Sequence, residues 1–474
     1  MSKSILNKKR VANNISNSTL NPTQKATIRH LLSSLKSASV AIAQAGANAR
    51  NSALRQIANL LESKRDAIKQ ANALDIANAR ENGLSYALIQ RLILDDRQID
   101  SMIKSVLEIE AQSEVVGEIL GGGVRPSGIN ITKISTPLGV VAIVYESRPN
   151  VTIDAAALCI KSGNAALLKG GKEASYSNEI LGEILKEALE SVGLKNECLL
   201  VITPKLAQNL INQAPTKAQH NSQDFTQSIM QEIMIEIMQS REFVDLLIPR
   251  GGRGLVSFVL EYSKVPVIFH EAGVCHAYID KEAHIQQAID ICHNAKVSRP
   301  SACNAIECVL IHTQIAREIL PQMVEKLGAS GVEMRVCQRG LKILQDFGDL
   351  AKKKDFRICK AKEVDFGVEF GELILAIKIV ESINEALAHI AKYGSKHSEI
   401  IITQNLQTSQ YFCANVDASA VFVNASSRFN DGGEFGLGAE IGISTQKLHA
   451  RGPMGAKDLT TTKYIVQGQG NIRK

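Results

Sequence analysis

The chain has 474 residues, 45% hydrophobic, 22% charged and 4% aromatic, and its 54 lysines and arginines against 48 acidic residues give a net charge of +6. Interleaved charges and few rings argue against a nucleic-acid surface, and no apolar run approaches the roughly 20 residues of a membrane span. The length gives a soft prior of about three domains or subdomains around a large core, and the moderate positive balance suits an anionic substrate or cofactor.

Residues 1–20 are rich in Ser, Asn and Lys and are expected to form a flexible tail; the basic start lacks the apolar stretch of a secretory signal. Order should begin near Asn21. Residues 23–112 are almost free of Gly and Pro, and Leu54, Ile57, Leu60, Leu61 and Ile68 recur at helical spacing, which predicts a helical block. A turn at Gly121-Gly122-Gly123 then hands over to strands at 129–134 and 138–144. A helix over 151–160, a strand over 165–168, a helix over 175–192 and a strand over 198–202 follow. Strands separated by helices of that length imply βαβ units and a parallel sheet.

The stretch 205–241 is dense in Gln and Asn and then Met- and Ile-rich. It is expected to be a surface excursion whose helical pattern over 229–238 covers the core. Alternation resumes with strands at 243–248, 265–269 and 277–279 and a helix over 284–295. A second αβ block follows: helix 313–327, strands 332–336 and 373–380, helix 383–392. The β-like run 460–466 suits an intersubunit arm.

Nine cysteines, an odd set without a Cys-x-x-Cys pair, point to a reducing, cytoplasmic setting. Cys159, Cys198, Cys308 and Cys413 sit in or beside apolar runs and read as buried small hydrophobes. Cys303 differs. Within Ser298-Arg299-Pro300-Ser301-Ala302-Cys303-Asn304 it stands among small polar residues just before an apolar run. A nearby cation, the N–H groups of a helix start or a polar loop would each favour its thiolate, the nucleophilic form.

Other motifs fall at expected strand ends. Lys169-Gly170-Gly171-Lys172 leads into a helix, and Pro249-Arg250-Gly251-Gly252-Arg253-Gly254 repeats that pattern. Glycines let backbone approach a ligand while lysines and a helix N-terminus attract phosphate. The simpler reading of each is a tight loop. In Glu146-Ser147-Arg148-Pro149-Asn150, Asn150 either donates to an oxyanion formed when Cys303 attacks a carbonyl or caps a helix. His270-Glu271 and Cys275-His276 suggest a base or a metal, but the spacing is not that of a zinc set, so no metal is expected. Arg148, Arg428 and Arg451 are candidates for a carboxylate or phosphate; each is equally suited to a structural ion pair.

Together these residues resemble the aldehyde dehydrogenase superfamily, most closely its gamma-glutamyl phosphate reductase family, over about Asn21 to Arg473. The resemblance runs through Pro137-Leu138-Gly139-Val140-Val141, Tyr145 to Thr152, Leu167 to Gly171, Ile248 to Gly252, Gly273-Val274-Cys275-His276, Arg299 to Asn304, Gly433 to Gly438 and Arg451-Gly452-Pro453. It implies an aldehyde dehydrogenase-like α/β fold of two Rossmann-like αβα domains with a small β arm. Residues 21–127 and 140–270 would bind cofactor, with 425–455 returning to them; 271–424 would carry the thiol, and 128–139 with 456–474 would form the oligomerisation arm.

The implied reaction is NADPH-dependent reduction of L-glutamyl 5-phosphate to L-glutamate 5-semialdehyde with phosphate release, the second step of proline biosynthesis. Cys303 matches the family nucleophile. Lys169 matches a lysine beside the adenosine ribose, Lys172 adds charge for a 2′-phosphate, and Glu369 matches a glutamate on the nicotinamide ribose. The oxyanion asparagine aligns with Arg148 or with Asn150. His270-Glu271-Ala272-Gly273-Val274 stands where hydrolytic members carry a water-activating glutamate, a role a phosphate-releasing enzyme does not need, so Glu271 is given none. A homo-oligomer and channelling from a glutamate 5-kinase are further implications. Competing readings are a general NAD(P)-dependent aldehyde dehydrogenase and a catalytically silent binding protein.

Overall fold

The computed structural model of the chain describes residues 20–212, 223–270, 272–348 and 356–473. The chain divides into two compact units: Met1–Ile268 with Leu437–Ile441 and Gly455–Lys474, and Phe269–Gly436 with Gly442–Met454. No helix among the described residues is long and apolar enough to cross a membrane.

In the first unit, Asn21 starts the helix Pro22–Gln44 with a reciprocal cap. Its side chain accepts from Gln24 N at 2.9 Å, and Gln24 Oε1 accepts the Asn21 N–H at 2.8 Å, which satisfies two of the donors that a helix start leaves open. Leu20, assigned to the tail, is instead buried, and its N–H donates to Glu232. Residues 1–19 lie outside the described residues. Helices Ala47–Ser63, Arg65–Glu81, Tyr86–Leu92 and Asp96–Ala111 complete the helical block, with Leu54, Ile57, Leu61 and Ile68 buried and Leu60 half-buried.

The glycine run is not the turn it suggests. It lies inside strand β1 (Ile119–Val124), antiparallel to β2 (Asn130–Pro137). β2 passes so close that a Cβ on Gly122, whose φ is +152°, would overlap the Ile131 carbonyl. The unit's core sheet contains β3 (Val140–Tyr145), β4 (Ala165–Lys169), β5 (Leu199–Val201) and β6 (Leu246–Arg250), all parallel, in the order β5-β4-β3-β6. Every residue of β3 is buried, as a parallel strand covered on both faces requires. The strand expected at 265–269 is a single bridge, Val267 to Leu247. Helices Pro204–Asn212 and Gln223–Gln239 account for most of the 205–241 stretch, with Ile229, Ile233, Ile237 and Met238 buried beneath it; residues 213–222 are outside the described residues.

The second unit holds a seven-stranded parallel sheet built from β7 (Cys275–Ile279), β8 (Ile306–His312), β9 (Glu333–Val336), β10 (Ile358–Lys360), β11 (Ile374–Val380), β12 (Ser398–Ile402) and β13 (Ala420–Val423). Their order is β10-β9-β11-β8-β7-β12-β13. The sequence reading had no strand at β12 or β13. A short ribbon joins β14 (Ile443–Ser444) to β15 (Gly452–Pro453). Of the segment 425–455, expected to return to the cofactor-binding domain, Leu437–Ile441 and Gly455 belong to the first unit and the rest to the second.

β16 (Thr460–Gln467) lies antiparallel to β2, from Thr460 opposite Pro137 to Gln467 opposite Asn130, and makes a three-stranded sheet with β1 as its third strand. β1 falls within the 21–127 span expected to bind cofactor. Asn164 ties the root of this sheet to the core. Its Oδ1 accepts the Gly139 N–H at 2.8 Å and its Nδ2 donates to the Leu459 carbonyl at 2.8 Å, and the side chain is buried. Asn164→Ala leaves both backbone groups unpaired and should lower stability by about 1–3 kcal/mol, read as a lower urea midpoint.

Candidate active site

Cys303 lies in the turn between helix Ile285–Val297 and β8, closed by Ala302 N to Arg299 O at 3.1 Å and Ala305 N to Ala302 O at 3.0 Å. The thiol therefore stands at the amino end of a strand in a polar loop, rather than at a helix N-terminus. It is half-buried. The base of the loop is stapled by an ion pair between Lys296 and Glu307, both fully buried. Burial pushes Glu307 up to about 7 and Lys296 down, while each partner opposes the other's shift. Glu307 Oε1 also accepts the Gly371 N–H at 3.1 Å, and Glu369 acts electrostatically on both members of the pair.

The loop packs against Gly273. A Cβ there would lie 2.7 Å from the Cys303 Cα and carbonyl carbon, so only glycine admits this approach. Two residues on, the buried Cys275 thiol donates to the Cys303 carbonyl at 3.2 Å. Ser427 Oγ donates to the Asn304 carbonyl at 2.5 Å, and Asn304 Nδ2 donates to the Asn430 carbonyl at 2.9 Å. Asn304, expected to make the loop polar, is thus a buried strut.

Charge comes from Arg428. Burial depresses its guanidinium most, Arg299 depresses it further, and Asp431 and Cys303 act the other way. Cys303 thus lies within electrostatic reach of that cation. Arg428 Nε is buried without a hydrogen-bond partner among the described residues. Arg451 Nε is likewise buried without a hydrogen-bond partner among the described residues, but its Nη2 donates to Asp417 at 2.7 Å, and Asp417 also meets Lys447 and Lys396. The structural ion pair left open by the sequence is what occupies that arginine.

His270 and Cys275-His276 form no exposed base. His270 packs edge-on to the buried His397 at 6.0 Å, and Glu271 is outside the described residues. His276 Nδ1 meets buried Glu399 at 3.1 Å. His276, Cys308 and His389 bring donor atoms within 4.8 Å of one another. Lys378 Nζ lies 3.2 Å from His389 Nδ1, while His389 Nε2 faces Cys308 at 3.9 Å. A lysine donating to Nδ1 leaves the ring proton on Nε2, with no lone pair there for a cation. The group reads as a polar knot in the core. All nine cysteines are free; Cys159, Cys198 and Cys308 are buried as expected, whereas Cys413 is exposed on helix Leu406–Asn415.

In the first unit the motifs converge on the carboxyl edge of the sheet. β4 and β5 follow β3 on one side and β6 flanks it on the other, so Glu146 and Gly251-Gly252 lie where the strand order reverses, the ligand crevice of such sheets. Carboxylates organise these turns: Glu146 Oε2 accepts the Gly252 N–H at 2.9 Å, and Glu173 Oε1 accepts from the N–H and hydroxyl of Ser147, whose φ is +47°. Lys169 ends β4, half-buried; burial lowers its pKa, with Glu173 and Glu146 opposing. Gly170-Gly171 lead first into a 3-10 turn, Lys172–Ala174, and only then into helix Ser175–Ser191, and exposed Lys172 donates to Gln227 at 2.9 Å. Asn150 is the first residue of helix Asn150–Lys161, with Pro149 at the cap position, and its amide donates to Asp154 at 3.0 Å. A second amide hydrogen stays available. Arg148, Asn150 and the glycine turns belong to the first unit; Cys303, Arg428, Arg451 and Glu369 belong to the second. Gly273 carries no role in the sequence analysis, and Cys275 appears there only beside His276 as a candidate base or metal ligand.

Residues 6–241 match the aldehyde dehydrogenase family model. The chain is 44% identical to gamma-glutamyl phosphate reductase of Desulfatibacillum aliphaticivorans over 92% of this chain and 96% of that protein. It is 43% identical to that of Clostridium tetani over the same shares. The crystal structure of gamma-glutamyl phosphate reductase from Thermotoga maritima superposes with a TM-score of 0.84 at 38% identity, covering 94% of this chain and 100% of that one. An acetylating aldehyde dehydrogenase of Geobacillus thermoglucosidasius shares the fold at a TM-score of 0.63 and 16% identity over 95% of this chain and 98% of that one.

Burial pushes His389 and His397 each down to about 3, His389 also feeling His276 and Lys378 and His397 feeling His270. Both stay neutral in the fold, whereas unfolded histidines protonate near 6.5, so the unfolded state binds more protons below that pH. Stability is therefore lost as pH falls from about 6.5 toward 3, by at most about 1.4 kcal/mol per unit per histidine. In His389→Phe that decline should be shallower, measured as thermal midpoints between pH 7 and 5.

Proposed function

The chain belongs to the aldehyde dehydrogenase family and, within it, to the gamma-glutamyl phosphate reductases, and from that premise we propose that it reduces L-glutamyl 5-phosphate to L-glutamate 5-semialdehyde with NADPH, releasing phosphate in the second step of proline biosynthesis. One observation carries the chemistry: a half-buried thiol in a polar turn, backbone-packed on Gly273 and electrostatically paired with Arg428. The Cys303 thiolate attacks the acyl carbon, the carbon–oxygen bond to phosphate breaks, and a thioester forms. Arg428 takes the phosphate or carboxylate of the substrate, with Arg148 as a second candidate. Arg451 supports this less well, because Asp417 holds it. Asn150 or Arg148 steadies the oxyanion of each tetrahedral intermediate.

NADPH, when bound, supplies the hydride that turns the thioester into aldehyde. The carboxyl edge of the first unit's sheet fits a dinucleotide through Lys169, Gly170, Gly171, Gly251 and Gly252 at its switch point, with Lys172 exposed for a 2′-phosphate. Glu369 of the second unit is proposed for the nicotinamide ribose. Free thiols throughout favour the cytoplasm. Apolar residues exposed on the β1-β2-β16 sheet, among them Val124, Tyr464 and Val466, support a homo-oligomer. Substrate would come from a glutamate 5-kinase, by channelling.

The test is NADP reduction with glutamate 5-semialdehyde. Activity should require phosphate and vanish in Cys303→Ala; phosphate-independent activity would indicate a hydrolytic dehydrogenase instead. Arg428→Ala, which removes a charged hydrogen-bond donor, should raise the KM for glutamyl phosphate or phosphate roughly ten- to hundredfold.

A further inference from the structure

The turn that carries Cys303 is held at two successive carbonyls by side chains from two separate segments. Cys275 opens β7 and donates its thiol hydrogen to the Cys303 carbonyl; Ser427 donates its hydroxyl to the Asn304 carbonyl. Both donors are fully buried. Burial, with Glu399 next, holds the Cys275 thiol far above the usual range, which keeps its hydrogen in place as a donor and makes it a poor nucleophile.

A further chain of contacts runs from Cys275 to Asn304. His397 Nδ1 lies 3.8 Å from Cys275 Sγ and 2.8 Å from Ser398 Oγ. Asn430 Nδ2 donates to Ser398 Oγ at 2.8 Å, and the Asn430 carbonyl accepts from Asn304 at 2.9 Å. The chain leaves Cys303 through its carbonyl and returns to the neighbouring residue through the Asn304 side-chain amide. Cys275 and Ser398 share His397 Nδ1, and its Nε2 is buried without a hydrogen-bond partner among the described residues.

We propose that Cys275 and Ser427 are positioning residues of the reaction, a two-point clamp that holds the peptide on which Cys303 stands so that the thiolate meets the acyl carbon. The proposal rests on Cys303 being the nucleophile. Neither side chain reacts; each acts through the backbone it holds. Thioester formation needs the sulfur at near-attack distance, and a displacement of about 1 Å can cost roughly a hundredfold in rate. Gly273 blocks movement of the turn toward β7 by contact, and the two donors resist movement away from it.

The experiment compares Cys275→Ala, Cys275→Ser and Ser427→Ala with wild type and Cys303→Ala, all as the full chain. Steady-state kcat and KM are measured, together with the pH profile of iodoacetamide labelling of the Cys303 peptide by mass spectrometry. Cys275→Ala should lower kcat roughly five- to hundredfold with KM little changed and should shift the labelling profile. Cys275→Ser puts a smaller oxygen in place of the sulfur yet keeps a donor, so it should recover most of kcat and the wild-type profile. Ser427→Ala should repeat the kcat loss from the other side, which keeps the test open should Cys275→Ala fail to fold. Equal kcat in Cys275→Ala and Cys275→Ser, or an unmoved labelling profile with only a lower thermal midpoint, would overturn the clamp. An active Cys303→Ala would instead sink the nucleophile on which it rests.

Discussion

One backbone contact governs the candidate site. Gly273 lies against Cys303 with no room for a Cβ between them, and every other feature of the thiol's setting follows from that closeness. It brings β7 and the turn before β8 together, which places Cys275 under the Cys303 carbonyl. It also makes the turn dependent on struts from elsewhere in the unit, namely Ser427, Asn430 and the Lys296–Glu307 pair. A buried ion pair of this kind adds little net stability, because desolvation offsets its attraction. Its use here is geometric, since it joins the helix before the turn to the strand after it.

Around that turn Arg428 is partly desolvated, repelled by Arg299 and drawn to Cys303, the setting on which its proposed part in substrate binding rests. The first unit handles the opposite task with carboxylates: Glu146 and Glu173 hold the turns at the sheet edge through backbone N–H groups. Glycine there admits those carboxylates: a Cβ on Gly251 would meet Glu146 and one on Gly171 would meet Glu173.

The core was legible where one physical rule dominates. The continuous apolar run Val140 to Tyr145 is a strand buried throughout, and the helical spacing of Leu54, Ile57 and Leu61 survives in the fold. Legibility failed where tertiary contact overrides local pattern. Gly121-Gly122-Gly123 reads as a turn but is a strand that needs glycine because β2 passes close by. Cys413 lies beside apolar residues yet faces out. At the site, Cys303 stood out through its neighbours, and Arg428 was one of three arginines that sequence could not rank. Cys275 and Ser427 were invisible as partners of the turn, being 28 and 123 residues from the positions whose carbonyls they hold; no spacing rule joins them.

The measurement that bears most directly on the central claim is trapping of the acyl-enzyme. Protein incubated with glutamyl phosphate in the absence of NADPH would be quenched in acid, digested and mapped by mass spectrometry. A glutamyl thioester on Cys303 is the predicted result. A glutamyl adduct on a different cysteine would contradict the account, as would a Cys303 that stays unmodified in enzyme that turns over normally once NADPH is added.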